Sequence, residues 1–325
     1  MARRYVADLA DQESVNEIFR ANNKQLRPNR NGDLFLSVEL SDRTGGLSAL
    51  LWNADESIYR KFENGDFVRV AGTAQLYQGS LQMIATRISK AGDDEVETAD
   101  FYPLDTADVD QLIVKLREHF RGLTNPHLAN LAECFVMDEE FMRKFRLAPA
   151  GIKNHHAYHG GLLEHVVNMM DVAKRIGPCY PMLDIDQLLL GCFLHDLGKL
   201  EELEFERGFA YTDEGQMLGH VMIGVSMLDE KLRKAEELSG EPFPKELAMR
   251  LRHLIISHHG DYEFGSPKLP MTLEALALTY LDNLDAKLHS FEKLIKDDPN
   301  VDSPWTLYQA NIGRKIYKGQ RSDEE

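Results

Sequence analysis

Along the first ninety residues, apolar and polar positions change places every residue or two. LFLSVEL (34–40) alternates, SDRTGG (41–46) supplies turn chemistry, and LSALLWN (47–53) resumes the apolar pattern. A period of two marks half-buried strands. A short helical piece, ADESIYRKFENG (54–65), comes next. DFVRVAGTAQLYQGSLQMIATRISK (66–90) then predicts two or three more strands, with turns at Ala71-Gly72 and Gln78-Gly79. Four or five short strands with one small helix predict a small β-barrel, an OB-fold in preference to an SH3-like barrel.

Residues 91–103 (AGDDEVETADFYP) are polar, acidic and closed by proline, and read as a linker. Beyond them the period changes to that of a helix. In DVDQLIVKLREHFRGL, Val109, Leu112, Ile113, Leu116 and Phe120 fall on one face. The expected organisation is a barrel over 1–90, the linker, a helical connector over 104–149, and an all-α domain over 150–300. A C-terminal helix with an acidic tail completes it over 301–325. The fold class is therefore multidomain α and β, and 325 residues suit two domains.

Charge sharpens this division. The net charge of −16 is uneven: residues 1–90 hold 12 Lys+Arg against 11 Asp+Glu, so the acidity belongs to the remainder. A near-neutral barrel can still carry a basic groove, with weak and clearly salt-dependent binding. Three scattered cysteines suit reduced thiols in a cytoplasm better than a disulfide framework. No apolar run is long enough to predict a membrane span.

The chemistry lies in the second half of the chain, which from His155 onward holds ten of the twelve histidines. GGLLEHVVNMMDVAKRI puts His165 on an apolar stripe with Leu162, Met169, Val172 and Ile176. DQLLLGCFLHDLGK delivers His195-Asp196 at the end of an apolar helix. GQMLGHVMIGVSMLDEKL places His220 inward. ELAMRLRHLIISHHG ends in His258-His259, and LEALALTYLDNLDAKL turns Asp282 inward among leucines. One such residue is an ordinary hydrogen-bonded core group. Five elements each burying a His or Asp would leave several costly polar groups. A divalent cluster satisfies them together, and imidazoles with carboxylates suit Mn, with Co, Fe, Ni or Zn as alternatives. A carboxylate between imidazoles can bridge two ions, as in two-metal phosphoesterases.

The ordered motifs LLEHVV, FLHDLGK, LGHVMIG, ISHHG and YLDNLD resemble the HD-domain phosphohydrolases over roughly 150–300. That resemblance implies one ion held by His165, His195, Asp196 and Asp282. A second would share Asp196 and take His220 and His258, with His259 as alternative to His258 and Asp285 as alternative to Asp282. Lys199 would contact a substrate phosphate, or else serve as a helix C-terminal cation. The Gly-Tyr-Pro of cyclic-dinucleotide phosphodiesterases is absent, HHGDYEFGSPK having Gly-Ser-Pro.

With the barrel included, LFLSVELSDRTGGLSALLWN, VRVAGTAQLYQGSLQM, HHAYHGGLLEHV and HDLGKLEELEF resemble the YhaM-type 3′–5′ exoribonucleases over nearly the whole chain. The resemblance implies exonuclease action on single-stranded RNA, and on single-stranded DNA in vitro. The polarity comes from the resemblance alone. A cytoplasmic location is expected, with no membrane partner, and a homo-oligomer is compatible with the sequence, which leaves the oligomeric state open. The alternative is a phosphohydrolase of a nucleotide or cyclic dinucleotide regulated by the barrel. OB-folds stack bases on aromatics and track phosphates with cations, so Phe35, Tyr77, Arg27, Arg30, Arg43 and Arg87 are candidates, with Lys24 nearby. Trp52, following two leucines, reads as core. His156 and Tyr158, in HHAYHGG, are expected beside the substrate, the alternative being a polar loop.

Overall fold

The computed structural model describes residues 3–29, 32–77, 80–92, 95–97, 100–101, 106–151, 158–205, 210–296, 298, 300, 303–310 and 312–319. Arg30 and His156, two of the expected site residues, lie outside the described residues, as does the Gln78-Gly79 turn. Two compact units emerge, residues 1–108 with 200–217, and residues 109–199 with 218–325.

In the first unit, five strands close a barrel: β1 (Ser14–Pro28), β2 (Leu34–Asp42), β3 (Gly45–Trp52), β4 (Phe67–Tyr77) and β5 (Ser80–Lys90), with a short α1 (Glu56–Tyr59) between β3 and β4. Their order is β1-β2-β3-β5-β4, closed by β1 against β4, and β3 with β5 is the parallel pair. This Greek-key order is the OB-fold. Alternation builds the interior: Leu36, Val38 and Leu40 of β2 meet Leu47, Ala49 and Leu51 of β3, with Phe19, Val68, Val70 and Met83. A second apolar cluster lies outside the barrel, where Ile18 meets Ala91, Phe101, Phe67 and Val96. The described part of the expected linker is therefore packed down rather than extended.

Three expectations give way to tertiary structure. Ala71-Gly72 is no turn; β4 runs through it with a register shift against β5. A Cβ on Gly72 would overlap the Ile84 carbonyl, so this glycine permits close strand approach. Lys24 is buried, its Nζ held by the Tyr59 and Phe62 carbonyls and paired with Glu63 at 2.8 Å. It is spent on the barrel itself. Trp52 is not core: with Leu47, Ala49 and Leu51 inward, it must point out, and it is 46% exposed.

The helical half runs α2 (Thr106–Arg121), α3 (Pro126–Val136), α4 (Glu139–Leu147), α5 (Gly161–Ile176), α6 (Ile185–Leu194) and the short α7 (Lys199–Glu202). A two-stranded ribbon, β6 (Leu203–Glu204) with β7 (Ala210–Tyr211), interrupts it. Then come α8 (Asp213–Ser239), α9 (Lys245–Ser257) and α10 (Leu273–Lys296). Helix α6 is the axis: Gln187 to Leu194 are all buried, and α3, α5, α9 and α10 pack on it. Phe193 is fully buried and meets Phe120, Phe135 and Phe145 edge-on at 5.0–5.6 Å between centroids. No helix of the described residues is long and apolar enough to cross a membrane. The expected C-terminal helix is absent among the described residues of 301–325. Residues 303–310 and 312–319 form turns and a small hairpin, pairing Trp305 with Tyr317 and Gln309 with Arg314.

Phe193→Ala should lower the stability of the helical unit by about 3–5 kcal/mol, read as a fall in Tm by circular dichroism.

Candidate metal centre

Helix α6 has no solvent face, so it carries His195 and Asp196 to the centre of the helical unit. His195 stands at the C-terminal cap of α6, its amide bonded to the Gly191 carbonyl at 3.0 Å. The chain then turns at Gly198, where a Cβ would overlap the His220 carbonyl and lie 2.8 Å from the Gly224 amide nitrogen. Only glycine lets this turn lie on the backbone of α8, and the contact brings His220 to Asp196. Helix α9 ends at His258-His259, and Gly260, at φ 79°, stops it. Helix α10 supplies Asp282 and, one turn on, Asp285.

Two clusters result. His165, His195 and Asp282 bring their donor atoms within 4.8 Å of one another, and so do His220, His258 and His259. Asp196 lies between them. Its Oδ2 is 3.2 Å from His195 Nε2, while its Oδ1 is 3.5 Å from His220 Nε2 and 3.7 Å from His258 Nε2. Each carboxylate oxygen thus faces one cluster.

The protons show what is lacking. His195 Nδ1 is 2.9 Å from the Cys192 carbonyl and His258 Nδ1 is 2.6 Å from the Ile255 carbonyl. Carbonyls only accept, so each Nδ1 carries the proton and each neutral ring turns a lone pair on Nε2 toward the site. His165 Nδ1 likewise donates to Asp285 Oδ2 at 2.6 Å. His165 Nε2 and His195 Nε2 then face each other at 3.3 Å, and His220 Nε2 and His259 Nε2 at 3.2 Å. Asp196 Oδ1 and His258 Nε2 are buried without a hydrogen-bond partner among the described residues.

In the His165–His195 pair, acceptor faces acceptor, which repels unless a proton or a cation lies between them. Donors sharing one ion at bonds of about 2.1 Å stand about 3.0–3.4 Å apart. The spacings of 3.2–3.3 Å within both clusters fit that requirement. These residues therefore fit divalent metal.

Charge agrees. Burial pushes the His258 pKa well below its ordinary value and, with His220, lowers that of His259, so both rings stay neutral. Burial works against ionising Asp196, yet the Lys199 ammonium, 2.6 Å from its Oδ2, holds its carboxyl well below the usual range. Burial also opposes charge on His165, but Asp282 and Asp285 outweigh it and push its pKa up to about 9. A proton there occupies the position a cation would take.

The expected residues are gathered with some changes of role. Asp285 touches the outer nitrogen of His165, orienting the ring, so it does not replace Asp282. His258 and His259 both belong to the second cluster. Lys199 Nζ is 2.6 Å from Asp196 Oδ2 and 2.7 Å from the Ala150 carbonyl. The Tyr158 hydroxyl donates to Glu164, and its ring lies 5.9 Å from His289. His159 Nδ1 bonds the Leu147 carbonyl at 3.0 Å, the behaviour of a polar loop.

On the barrel, register sorts the remaining candidates. Arg27 pairs with Phe35 and Phe35 with Trp52, forming a row across three strands. The rings of Phe35 and Trp52 lie 5.1 Å apart. Arg87 follows Ala85, the partner of Leu51, at the same end. Arg43 lies at the other end of β2, its guanidinium 4.4 Å over the Tyr5 ring. Tyr77, paired with Ser80 where β5 begins, is also remote from Phe35 by register. Trp52 is the residue that sequence reasoning missed.

Residues 162–287 match the family model of the HD domain, and residues 18–91 match that of the OB-fold nucleic acid binding domain. Among solved structures, the chain is similar to a domain of replication protein A from Methanococcus maripaludis at 21% identity. That match covers 27% of this chain and 94% of the other, with a TM-score of 0.24. It is also similar to the mitochondrial single-stranded DNA binding protein Rim1 of S. cerevisiae at 16% identity, covering 25% of this chain and 100% of that one, with a TM-score of 0.22. HD domains are metal-dependent phosphohydrolase domains, and both His/Asp clusters fall within the matched span.

Gly198→Ala should force α8 away from the turn after Asp196 at a cost of roughly 1–3 kcal/mol. Manganese titration by calorimetry should then show weakened binding, while circular dichroism shows the helices retained.

Proposed function

We propose that this protein is a metal-dependent 3′–5′ exoribonuclease that shortens single-stranded RNA, and single-stranded DNA as well, at the HD site. The observation that carries this reading is Asp196, whose two oxygens face two separate histidine clusters. Its presence in one chain with an OB-fold directs that chemistry to a nucleic-acid substrate. The 3′ to 5′ polarity rests on the resemblance to the YhaM-type enzymes.

One ion would be held by His165, His195, Asp282 and Asp196, and the other by His220, His258, His259 and the same Asp196. Manganese suits this mixed donor set, and Co, Fe, Ni and Zn share its preferences. When bound, such ions activate a water for attack and neutralise charge on the phosphate. Asp196 fixes the spacing of the two clusters. Asp285 keeps His165 in the tautomer whose Nε2 faces the site. Lys199 keeps Asp196 ionised and is the ammonium best placed to face a substrate phosphate. Tyr158, beside Glu164 and His289, would meet the nucleotide next to the α5 cluster.

The barrel's part is to hold the strand. Bases would stack on Phe35 and Trp52 while Arg27 and Arg87 take phosphates. Arg43 and Tyr77 are outside this patch.

The direct test is a time course on RNA labelled at its 5′ end, with Mn²⁺ or EDTA, for wild type and Asp196→Ala. A descending ladder that requires Mn²⁺ and is lost in the variant is expected. Intact RNA alongside hydrolysis of a nucleotide or cyclic dinucleotide would replace this reading with that of a small-molecule phosphohydrolase.

A further inference from the structure

The hairpin at 303–319 has no part in the metal centre or the barrel. Its backbone is closed by Thr306 N–H to the Ile316 carbonyl (2.9 Å), Gln309 N–H to the Arg314 carbonyl (3.0 Å) and Lys318 N–H to the Pro304 carbonyl (2.7 Å). Thr306 and Ile316 are buried beneath it, and Lys318 Nζ is tied to buried Asp298 at 2.5 Å. Arg314 lies over the Phe291 ring of α10, 5.4 Å from its centroid.

With Thr306 and Ile316 turned inward, their neighbours must turn outward. Trp305 and Tyr317 pair across the strands with rings 4.9 Å apart, yet remain 47% and 53% exposed, and Tyr308 is 62% exposed. In a chain of net charge −16, residues 303–319 hold Arg314, Lys315 and Lys318 and no Asp or Glu. Asp298 neutralises Lys318, whereas Lys315 has no ion-pair partner among the described residues. The acidic end of the chain, Asp323 to Glu325, lies outside the described residues.

We propose that this hairpin is a second contact for single-stranded nucleic acid, stacking bases on Trp305, Tyr317 and Tyr308 and holding phosphates with Lys315 and Arg314. This rests on the reading of the substrate given above. The chemistry is that of a stacking platform: flat π faces accept any base, and cations beside them meet the phosphates. An acid-free aromatic surface on so acidic a chain complements a polyanion better than a second copy of the same chain.

The chain has two tryptophans, Trp52 and Trp305, so each contact can be observed alone. The full chain in EDTA, which prevents turnover, is titrated with an oligouridylate single strand. In Trp52→Phe, the emission of Trp305 should be quenched saturably. Trp305→Leu should weaken binding about tenfold, while Trp305→Phe retains it. Lys315→Ala, an exposed change that spares the hairpin, should reduce the slope of log affinity against log salt by about 0.7.

Unquenched Trp305 beside a quenched Trp52 in the Trp305→Phe protein would overturn the hairpin proposal and leave the barrel's role standing. Silence from both tryptophans would overturn both. Trp305 emission that follows protein dilution and ignores RNA would assign the hairpin to contact with a second copy, and would overturn the proposal too.

Discussion

Asp196 sits buried with one oxygen that no hydrogen-bond donor among the described residues reaches, and the helical half is organised around that deficit. An unsatisfied buried acceptor costs about 1–3 kcal/mol, and a charged one more. An apolar substitute would fit this core at less cost, so the carboxylate persists for what it can hold. From Leu188 to Leu194 helix α6 is apolar and buried on every side, which carries its end to the centre of the helical unit. The other ligand-bearing elements come to it, α5, α9 and α10 packing on α6 itself. Glycines set how closely they approach. Gly191 leaves room for Leu254 Cδ1, 3.0 Å from where a Cβ would stand, and Gly198 leaves room for the backbone of α8.

Orientation of the imidazoles follows from the same arrangement. His195 and His258 each bond a carbonyl three residues earlier in the chain, so local backbone, with no need of a distant partner, turns their Nε2 atoms inward. His165 lies within α5, where preceding carbonyls are already taken by the helix, and it needs a partner from elsewhere. Asp285 supplies it from 120 residues away. That explains why α10 carries two inward carboxylates where one cluster needs a single ligand.

These differences also explain what the sequence could disclose. A buried face repeats with the period of its element, so the strands, the helices and the inward His and Asp positions were legible. Roles that depend on which atom meets which across the fold were not. Asp285 and Asp282 share one face of α10, and only the packing of α5 separates the partner of His165 Nδ1 from the candidate ligand. Trp52 lay within reach, since alternation from Leu47 through Leu51 turns it outward, but two preceding leucines suggested a core. Gly72 reads as a turn residue because close strand approach and a turn both favour glycine. A C-terminal helix with an acidic tail is expected over 301–325; instead Trp305 pairs with Tyr317 and Gln309 with Arg314, which local periodicity does not reveal.

Charge bears on how many ions the centre takes. Asp196, Asp282 and Asp285 formally contribute three negative charges, and Lys199 returns one positive. With metal at the position of the His165 proton, the remaining imidazoles are neutral, and the protein groups sum to two negative charges. One divalent ion would leave the centre neutral, with no net attraction for a phosphodiester. Two leave it doubly positive in a buried setting where each charge counts for more than in water. The second histidine cluster, built from three neutral rings and one shared carboxylate oxygen, adds no negative charge of its own. On the proposed two-ion reading, a second ion would therefore sit beside Asp196, and the surplus positive charge would favour a phosphodiester.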